Sequence, residues 1–173
     1  MAIVVLFGDS NIKRLPFFCK DRKGLLVPYN LRWFGQGGLR MDRMDNNLYG
    51  MMLREKADII IVAVGGNDIT PTSQPKEIVE RITEIVNEMH RNGCEHVYVL
   101  EIMTRGDFSK CKRVKINKCL AKTYKNNFIR FPDIKFPADY SKDLVHLESL
   151  CPGNNGMHKY QCRIQRLICS VKR

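Results

Sequence analysis

Apolar runs of strand length alternate along this chain with stretches of helical period. Residues 2–7 (AIVVLF) form the first run and lead directly into Gly8-Asp9-Ser10-Asn11. Residues 25–34 read as a second strand, ending at Gly35-Gln36-Gly37-Gly38. Residues 57–64 (ADIIIVAV) are nearly all apolar and rich in β-branched side chains, as in a strand buried on both faces, and they end at Gly65-Gly66-Asn67-Asp68. Residues 96–103 read as a fourth strand and 128–131 as a short fifth. Between them, residues 11–20 predict a short helix interrupted near Pro16, and 39–56 a helix whose Leu39, Met41, Met44, Leu48, Met51 and Met52 fill the core. A helix capped by Ser73 carries Ile78, Val79, Ile82, Ile85, Val86 and Met89 at a period of about 3.6 and stops at Asn92-Gly93. Residues 110–126 predict a basic helix and 156–171 a terminal one. Such alternation implies βαβ units: an α/β fold with a mainly parallel sheet and helices on both faces. No repeat, low-complexity tract or Pro/Gly/Ser-rich linker divides the chain, so a single domain over 1–173 is expected.

Composition changes this picture in one respect. The 173 residues and 44% hydrophobic content suit one folded domain, but a formal charge of +11 does not follow from the fold. It implies either attraction to an acidic partner or simply a basic surface. The seven cysteines include no CxxC pair and no Cys/His cluster at zinc spacing, which suggests reduced thiols and an intracellular, cytoplasmic protein. The start MAIVVLFGDS lacks a basic n-region and a cleavage site, and no stretch approaches the roughly 18 apolar residues of a membrane helix.

Parallel strands end on one sheet edge, so the loops after the first three strands converge there. Ser10 then stands where a nucleophile could work, provided that a base and an anion-stabilising pocket lie nearby. His146 is the candidate base, and Asp143, three residues earlier, can turn back to hold its imidazole. Backbone N–H groups of Ser10 and Gly38 (Gly37 the alternate) and the side-chain amide of Asn67 are candidate donors to an oxyanion. The plainer readings are helix caps for Ser10, Asn67 and Asp68, with the cap favoured for Asp68 and a turn-shaping role favoured for Asp9. His158, inside the last helix and without an aspartate three residues before it, is the weaker rival to His146; His90 and His96 have no catalytic partner in the pattern.

Taken together, Gly8-Asp9-Ser10, the glycine loop at Gly37-Gly38, Gly65-Gly66-Asn67-Asp68 and Asp143-Leu144-Val145-His146 resemble the SGNH (GDSL-type) hydrolase superfamily over nearly the whole chain. The resemblance implies a three-layer α/β/α sandwich with a five-stranded, flavodoxin-like parallel sheet. It implies a metal-free, cofactor-free esterase, lipase, thioesterase or carbohydrate deacetylase, with Ser10, Gly38, Asn67 and His146 as the eponymous residues. Departures are Leu39-Arg40 after the glycine loop, Asn11 after the serine, and Leu144 where many members have glycine. More loosely, the start resembles esterase domains in the first open reading frame of some animal non-LTR retrotransposons, which would imply RNA or membrane association.

Lys110, Lys112, Arg113, Lys115, Lys118, Lys122 and Lys125 form the densest basic segment, opposed nearby only by Asp107, and Arg163, Arg166, Lys172 and Arg173 add charge near the end. The bland reading is a solvated face. The sharper one is an anion-binding face of Lys112, Arg113, Lys115, Lys118 and Lys122 for RNA or anionic lipid, on a fold with little catalysis. No RNP-type motif or aromatic–basic interleaving supports specific RNA reading. Cys111 and Cys119 read as buried or neutral thiols. The loops 105–112 and 132–142 are expected to border the cleft, and the lack of a large insertion suggests an open site for short, acetyl-like acyl groups on an ester substrate.

Overall fold

A computed structural model describes residues 2–20, 25, 27–106, 109–150 and 155–171; Leu26, Asp107, Cys151, Lys172 and Arg173 lie outside the described residues. Five strands form one sheet: β1 (Ile3–Gly8), β2 (Asn30–Gly35), β3 (Ile59–Ala63), β4 (His96–Leu100) and β5 (Phe128–Ile129), in the order β2-β1-β3-β4-β5. Every neighbouring pair is parallel. The helices are α1 (Ser10–Lys20), α2 (Asn46–Arg54), α3 (Pro75–Arg91), α4 (Lys110–Tyr124) and α5 (Gly156–Ser170).

Side chains on a strand alternate faces, and here that alternation divides the core in two. Val5, Phe7, Ile60 and Val62 pack with α2, α3 and α4 through Met52, Ile78, Ile82, Met89, Ile116 and Leu120. Val4, Leu6, Ile59 and Ile61 pack with α1 and α5 through Ile12, Leu15, Met157, Tyr160, Ile164 and Ile168. The expected three-layer sandwich with a five-stranded parallel sheet is the observed architecture.

Several boundaries differ from the expectation. The second strand begins at Asn30, not residue 25. Pro16 does not interrupt α1: the helix runs through it, held by the buried Ile12, Leu15, Phe18 and Cys19 although the proline ring removes one helical donor. The helix expected over 39–56 is two pieces. A 3₁₀ turn, Met41–Arg43, comes first, and Asp45 then caps α2 by accepting from the N–H groups of Asn47 and Leu48. Met41 and Met44 do pack on the core, but Met51 faces solvent at 52% exposure. Ser73 is not the cap of α3. Its hydroxyl accepts from Thr70 N–H within a turn, and Gln74 precedes Pro75, the first helical residue.

Two buried thiols give the fold an alkaline limit. Burial pushes Cys19 and Cys94 up to about 11 from an ordinary 9.0. The folded-state values lie above the unfolded ones, so the unfolded chain loses these protons first and stability falls as pH rises from about 9 towards 11. Each thiol can remove about 2 kcal/mol across that window. Urea denaturation between pH 8.5 and 10.5 is expected to show this loss, and to show less of it in Cys19→Ala/Cys94→Ala; equal slopes for the two proteins would count against the assignment.

Candidate active site

The site is assembled from loops at the carboxyl edge of the sheet, and hydrogen bonds tie those loops to one another. Gly8 C=O accepts from Gln36 N–H at 2.8 Å, joining the ends of β1 and β2. Asp9 N–H donates to Ala63 C=O at 3.0 Å, joining β1 to β3. The Asn67 amide donates to Leu39 C=O at 2.9 Å, and Met41 N–H donates to Asp68 Oδ1 at 2.9 Å. The glycine turn at Gly37-Gly38 is thereby fixed against the Gly65-Gly66-Asn67-Asp68 loop. Gly38 sits at φ +65°, in the left-handed region that favours glycine.

Ser10 is the first residue of α1 and is buried to 9% exposure. The cap belongs to Asp9, whose Oδ1 accepts from Asn11 N–H at 2.9 Å. The turn-shaping role expected of Asp9 is therefore observed, and the cap reading of Ser10 is not. As the first residue of a helix, Ser10 has an N–H without an intrahelical acceptor, in the positive field of the helix N-terminus. Asp68 is not a helix cap either, since α3 begins at Pro75. It anchors Met41, and burial pushes its carboxyl up, opposed by the Met41 N–H.

His146 lies in a turn built by its own partner. Asp143 Oδ1 accepts from the N–H groups of Val145 (2.9 Å) and His146 (3.0 Å), while Oδ2 meets His146 Nδ1 at 2.6 Å. One carboxylate thus shapes the turn with one oxygen and orients the imidazole with the other. With Nδ1 facing a carboxylate, Nε2 is the nitrogen left to take a proton. The same bonds, the His146 N–H foremost and the imidazole next, hold the Asp143 carboxyl well below the usual range. Leu144, where glycine was noted as common, adopts φ +53°, and its carbonyl accepts from Gly106 N–H at 3.0 Å. Ser141 N–H closes the turn onto His146 C=O at 2.8 Å, and the Tyr140–Leu147 bridge continues it. Asp139 fastens the turn to α5 through Lys159 Nζ at 2.8 Å to each carboxylate oxygen. His146 also acts electrostatically on Asp9, the residue beside Ser10. No hydrogen bond joins Ser10 Oγ to His146 among the described residues.

Arg105, seen from the sequence only as part of a cleft-bordering loop, is a central residue of this edge. At 5% exposure its guanidinium donates through Nη2 to Asp9 Oδ2 at 2.6 Å and through Nη1 to Asn67 Oδ1. It lies over Gly66, 3.4 Å from where a Cβ would be. Burial pushes the Asp9 carboxyl up, opposed by the Arg105 guanidinium and the Asn11 N–H. A lone arginine in a loop carries no sequence signal; a pairing across 96 residues is visible only in the fold.

The remaining candidates separate. His158 is in α5 with Nε2 3.5 Å from Cys162 Sγ, and it pairs with no carboxylate among the described residues. The residues of the expected anion-binding face, Lys112, Arg113, Lys115, Lys118 and Lys122, all lie on α4 and differ in their engagements. Lys112 Nζ donates to the carbonyls of Thr70, Pro71 and Ser73 at 2.7–2.8 Å, closing the loop before α3. Arg113 acts on Glu101, whose carboxyl burial pushes up, and on Tyr140. Lys115, Lys118 and Lys122 are exposed, and Lys112 and Arg113 are half-buried. Cys111 and Cys119 are exposed, contrary to the buried alternative. Lys112→Met is expected to cost about 2 kcal/mol in chemical denaturation, because it strips a charged donor from carbonyls it satisfies, whereas Lys118→Met stays within about 0.5 kcal/mol.

No group of metal ligands occurs among the described residues, and no described helix is long and apolar enough to cross a membrane. No protein-family model and no curated protein matches the sequence. Solved structures do match the fold. A lipase/acylhydrolase from Enterococcus faecalis superposes with a TM-score of 0.74 at 17% identity, covering 97% of this chain and 95% of that one. A carbohydrate esterase family 3 protein from Talaromyces cellulolyticus gives 0.69 at 18% identity, with 99% and 100% covered. A GDSL-like lipase from Bacteroides thetaiotaomicron gives 0.64 at 18%, with 96% and 87% covered. The fold is therefore the one shared by GDSL-type lipases, acylhydrolases and carbohydrate esterases.

Proposed function

We propose that this protein is a serine esterase that removes short, acetyl-like acyl groups from ester substrates without a metal or cofactor. The observation that carries the reading is the Asp143–His146 pair at 2.6 Å, with one carboxylate oxygen shaping the turn and the other orienting the imidazole.

In this reading His146 Nε2 takes the proton of Ser10 Oγ as the oxygen attacks the ester carbonyl. Asp143 holds the tautomer and stabilises the imidazolium. Negative charge on the former carbonyl oxygen meets the Ser10 N–H, the Gly38 N–H and an Asn67 amide N–H, with the N-terminus of α1 adding its field. The imidazolium then protonates the leaving alcohol, and water repeats the sequence on the acyl-enzyme. The fold of the acylhydrolases and carbohydrate esterases above supports acyl transfer over a pure binding role. The test is a serine-directed phosphonate followed by mass spectrometry. Modification at Ser10, absent in Ser10→Ala and competed by p-nitrophenyl acetate more than by a long-chain ester, is the expected result. A protein that stays unmodified under conditions that label other serine esterases would refute the reading.

A further inference from the structure

The Asn67 side chain can stand at this edge in two ways that differ only by exchanging its oxygen and nitrogen. One of them puts an N–H on the oxyanion and the other puts an acceptor there, which would repel it. Something must select between them, because a carboxamide carries no preference of its own.

We propose that Arg105 is a positioning residue that makes this selection together with Leu39 C=O, which accepts from the other end of the amide, and that it does so as a fork between Asp9 and Asn67. This inference rests on the esterase reading above for its catalytic consequence, but not for its geometry. A guanidinium has five donors and no acceptor. The atom of Asn67 that faces Arg105 Nη1 must therefore be Oδ1; the exchanged amide would set N–H against N–H in a site where Arg105 is 5% exposed. With Oδ1 committed, the NH₂ group points the other way. Leu39 C=O accepts one of its hydrogens at 2.9 Å, and the second is the one that can meet a substrate oxyanion.

The other tine explains why an arginine does this and not a lysine. Arg105 Nη2 donates to Asp9 Oδ2 at 2.6 Å, and Asp9 Oδ1 in turn accepts from Asn11 N–H in the first turn of the Ser10 helix. One rigid planar group thus sets the distance between the Ser10 turn and the Asn67 amide. An ammonium is a single point on a flexible stem and cannot hold both acceptors in one plane. The guanidinium lies against Gly66. Asp9 acts in this arrangement as the counter-charge that keeps the buried guanidinium in place.

Arg105→Lys keeps a cation beside Asp9 and is the variant to make. With p-nitrophenyl acetate it is expected to lose about 10²-fold in kcat, the size of one missing oxyanion donor, with KM within about threefold of wild type. Asn67→Ala is expected to lose a similar amount, and Arg105→Lys/Asn67→Ala no more than Asn67→Ala alone, because both changes remove one donor. A merely structural role would instead give losses that multiply, and that result, or wild-type kcat in Arg105→Lys, would overturn the proposal. Nuclear magnetic resonance of the Asn67 side-chain amide, assigned by its absence in Asn67→Ala, provides the second measurement. Two well-separated N–H signals in wild type that collapse towards free-amide positions in Arg105→Lys support the lock; unmoved signals refute it. Should Arg105→Lys fail to fold, the wild-type spectrum decides: guanidinium protons of Arg105 protected from exchange and in contact with Asn67 support the fork, and freely exchanging ones overturn it. A wild type without Ser10-dependent hydrolysis would sink the esterase reading, while the amide spectrum would still decide the role of Arg105.

Discussion

Ser10→Ala is expected to lower kcat for p-nitrophenyl acetate by on the order of 10⁵-fold or more, with the thermal midpoint nearly unchanged. The loss is large because removing Oγ deletes the covalent route, not a single contact. The midpoint is expected to hold because the hydroxyl makes no hydrogen bond among the described residues and the cap of α1 is supplied by Asp9. His146→Ala should lose a comparable factor, and Ser10→Ala/His146→Ala should be no slower than either single variant, since nucleophile and base act as one unit. Asp143→Asn should lose less. Where the orienting carboxylate is buried, the corresponding change costs about 10⁴-fold. The Asp143 side chain is 49% exposed, so solvent shares its electrostatic task, and an asparagine can still accept from the Val145 and His146 N–H groups that shape the turn. The residual activity of all these variants should come from the Ser10 N–H, Gly38 N–H and Asn67 donors. Initial rates on purified proteins decide the matter, and equal rates for wild type and Ser10→Ala would exclude Ser10 as the nucleophile.

Sequence and structure agree where the signal is local, and part where it is not. The β3 core Ile59-Ile60-Ile61-Val62 was legible because a strand buried on both faces leaves an unbroken apolar run. The loops carrying Ser10, Gly38 and Asn67 were legible because glycines mark strand ends, and parallel pairing then places those ends on one edge. The Asp143–His146 pair followed from a spacing of three residues. The start of β2 was not legible, because the apolar run that begins at Leu25 continues without a break into the strand, which starts only at Asn30. The break before α2 was hidden by a methionine stripe that continues through it; Asp45 ends the 3₁₀ segment by capping the next helix. Arg105 was out of reach for a different reason. Its partners lie 96 and 38 residues away, and nothing in its neighbourhood distinguishes it from the chain's other arginines. Lys112 shows the converse error: a lysine in a basic run looks solvated, yet its ammonium is spent on three carbonyls of another loop.

Gly8→Ala is expected to cost about 3 kcal/mol or more in urea denaturation, and to reduce esterase activity beyond what the lost stability explains. A Cβ on Gly8 would fall inside the van der Waals envelope of Ala63 C=O, 2.8 Å from the Ala63 Cβ and 3.0 Å from its carbonyl carbon. These are backbone and near-backbone atoms of the neighbouring strand, so no rotamer change can make room, and β1 must move away from β3. Close packing of the two strands leaves no void to absorb that movement. Ala63 C=O is also the acceptor for Asp9 N–H, so the displacement breaks the bond that fixes the residue before Ser10 and pulls Asp9 from Arg105. The stability loss and the catalytic loss therefore have one origin. Gly93→Ala is the control. Gly93 has φ +93° but nothing within 4 Å of its added Cβ, so only conformational strain is at stake, about 1–2 kcal/mol, with activity retained. If Gly8→Ala were no more costly than Gly93→Ala, the close approach of β1 and β3 beneath Ser10 would not be what glycine is needed for at position 8.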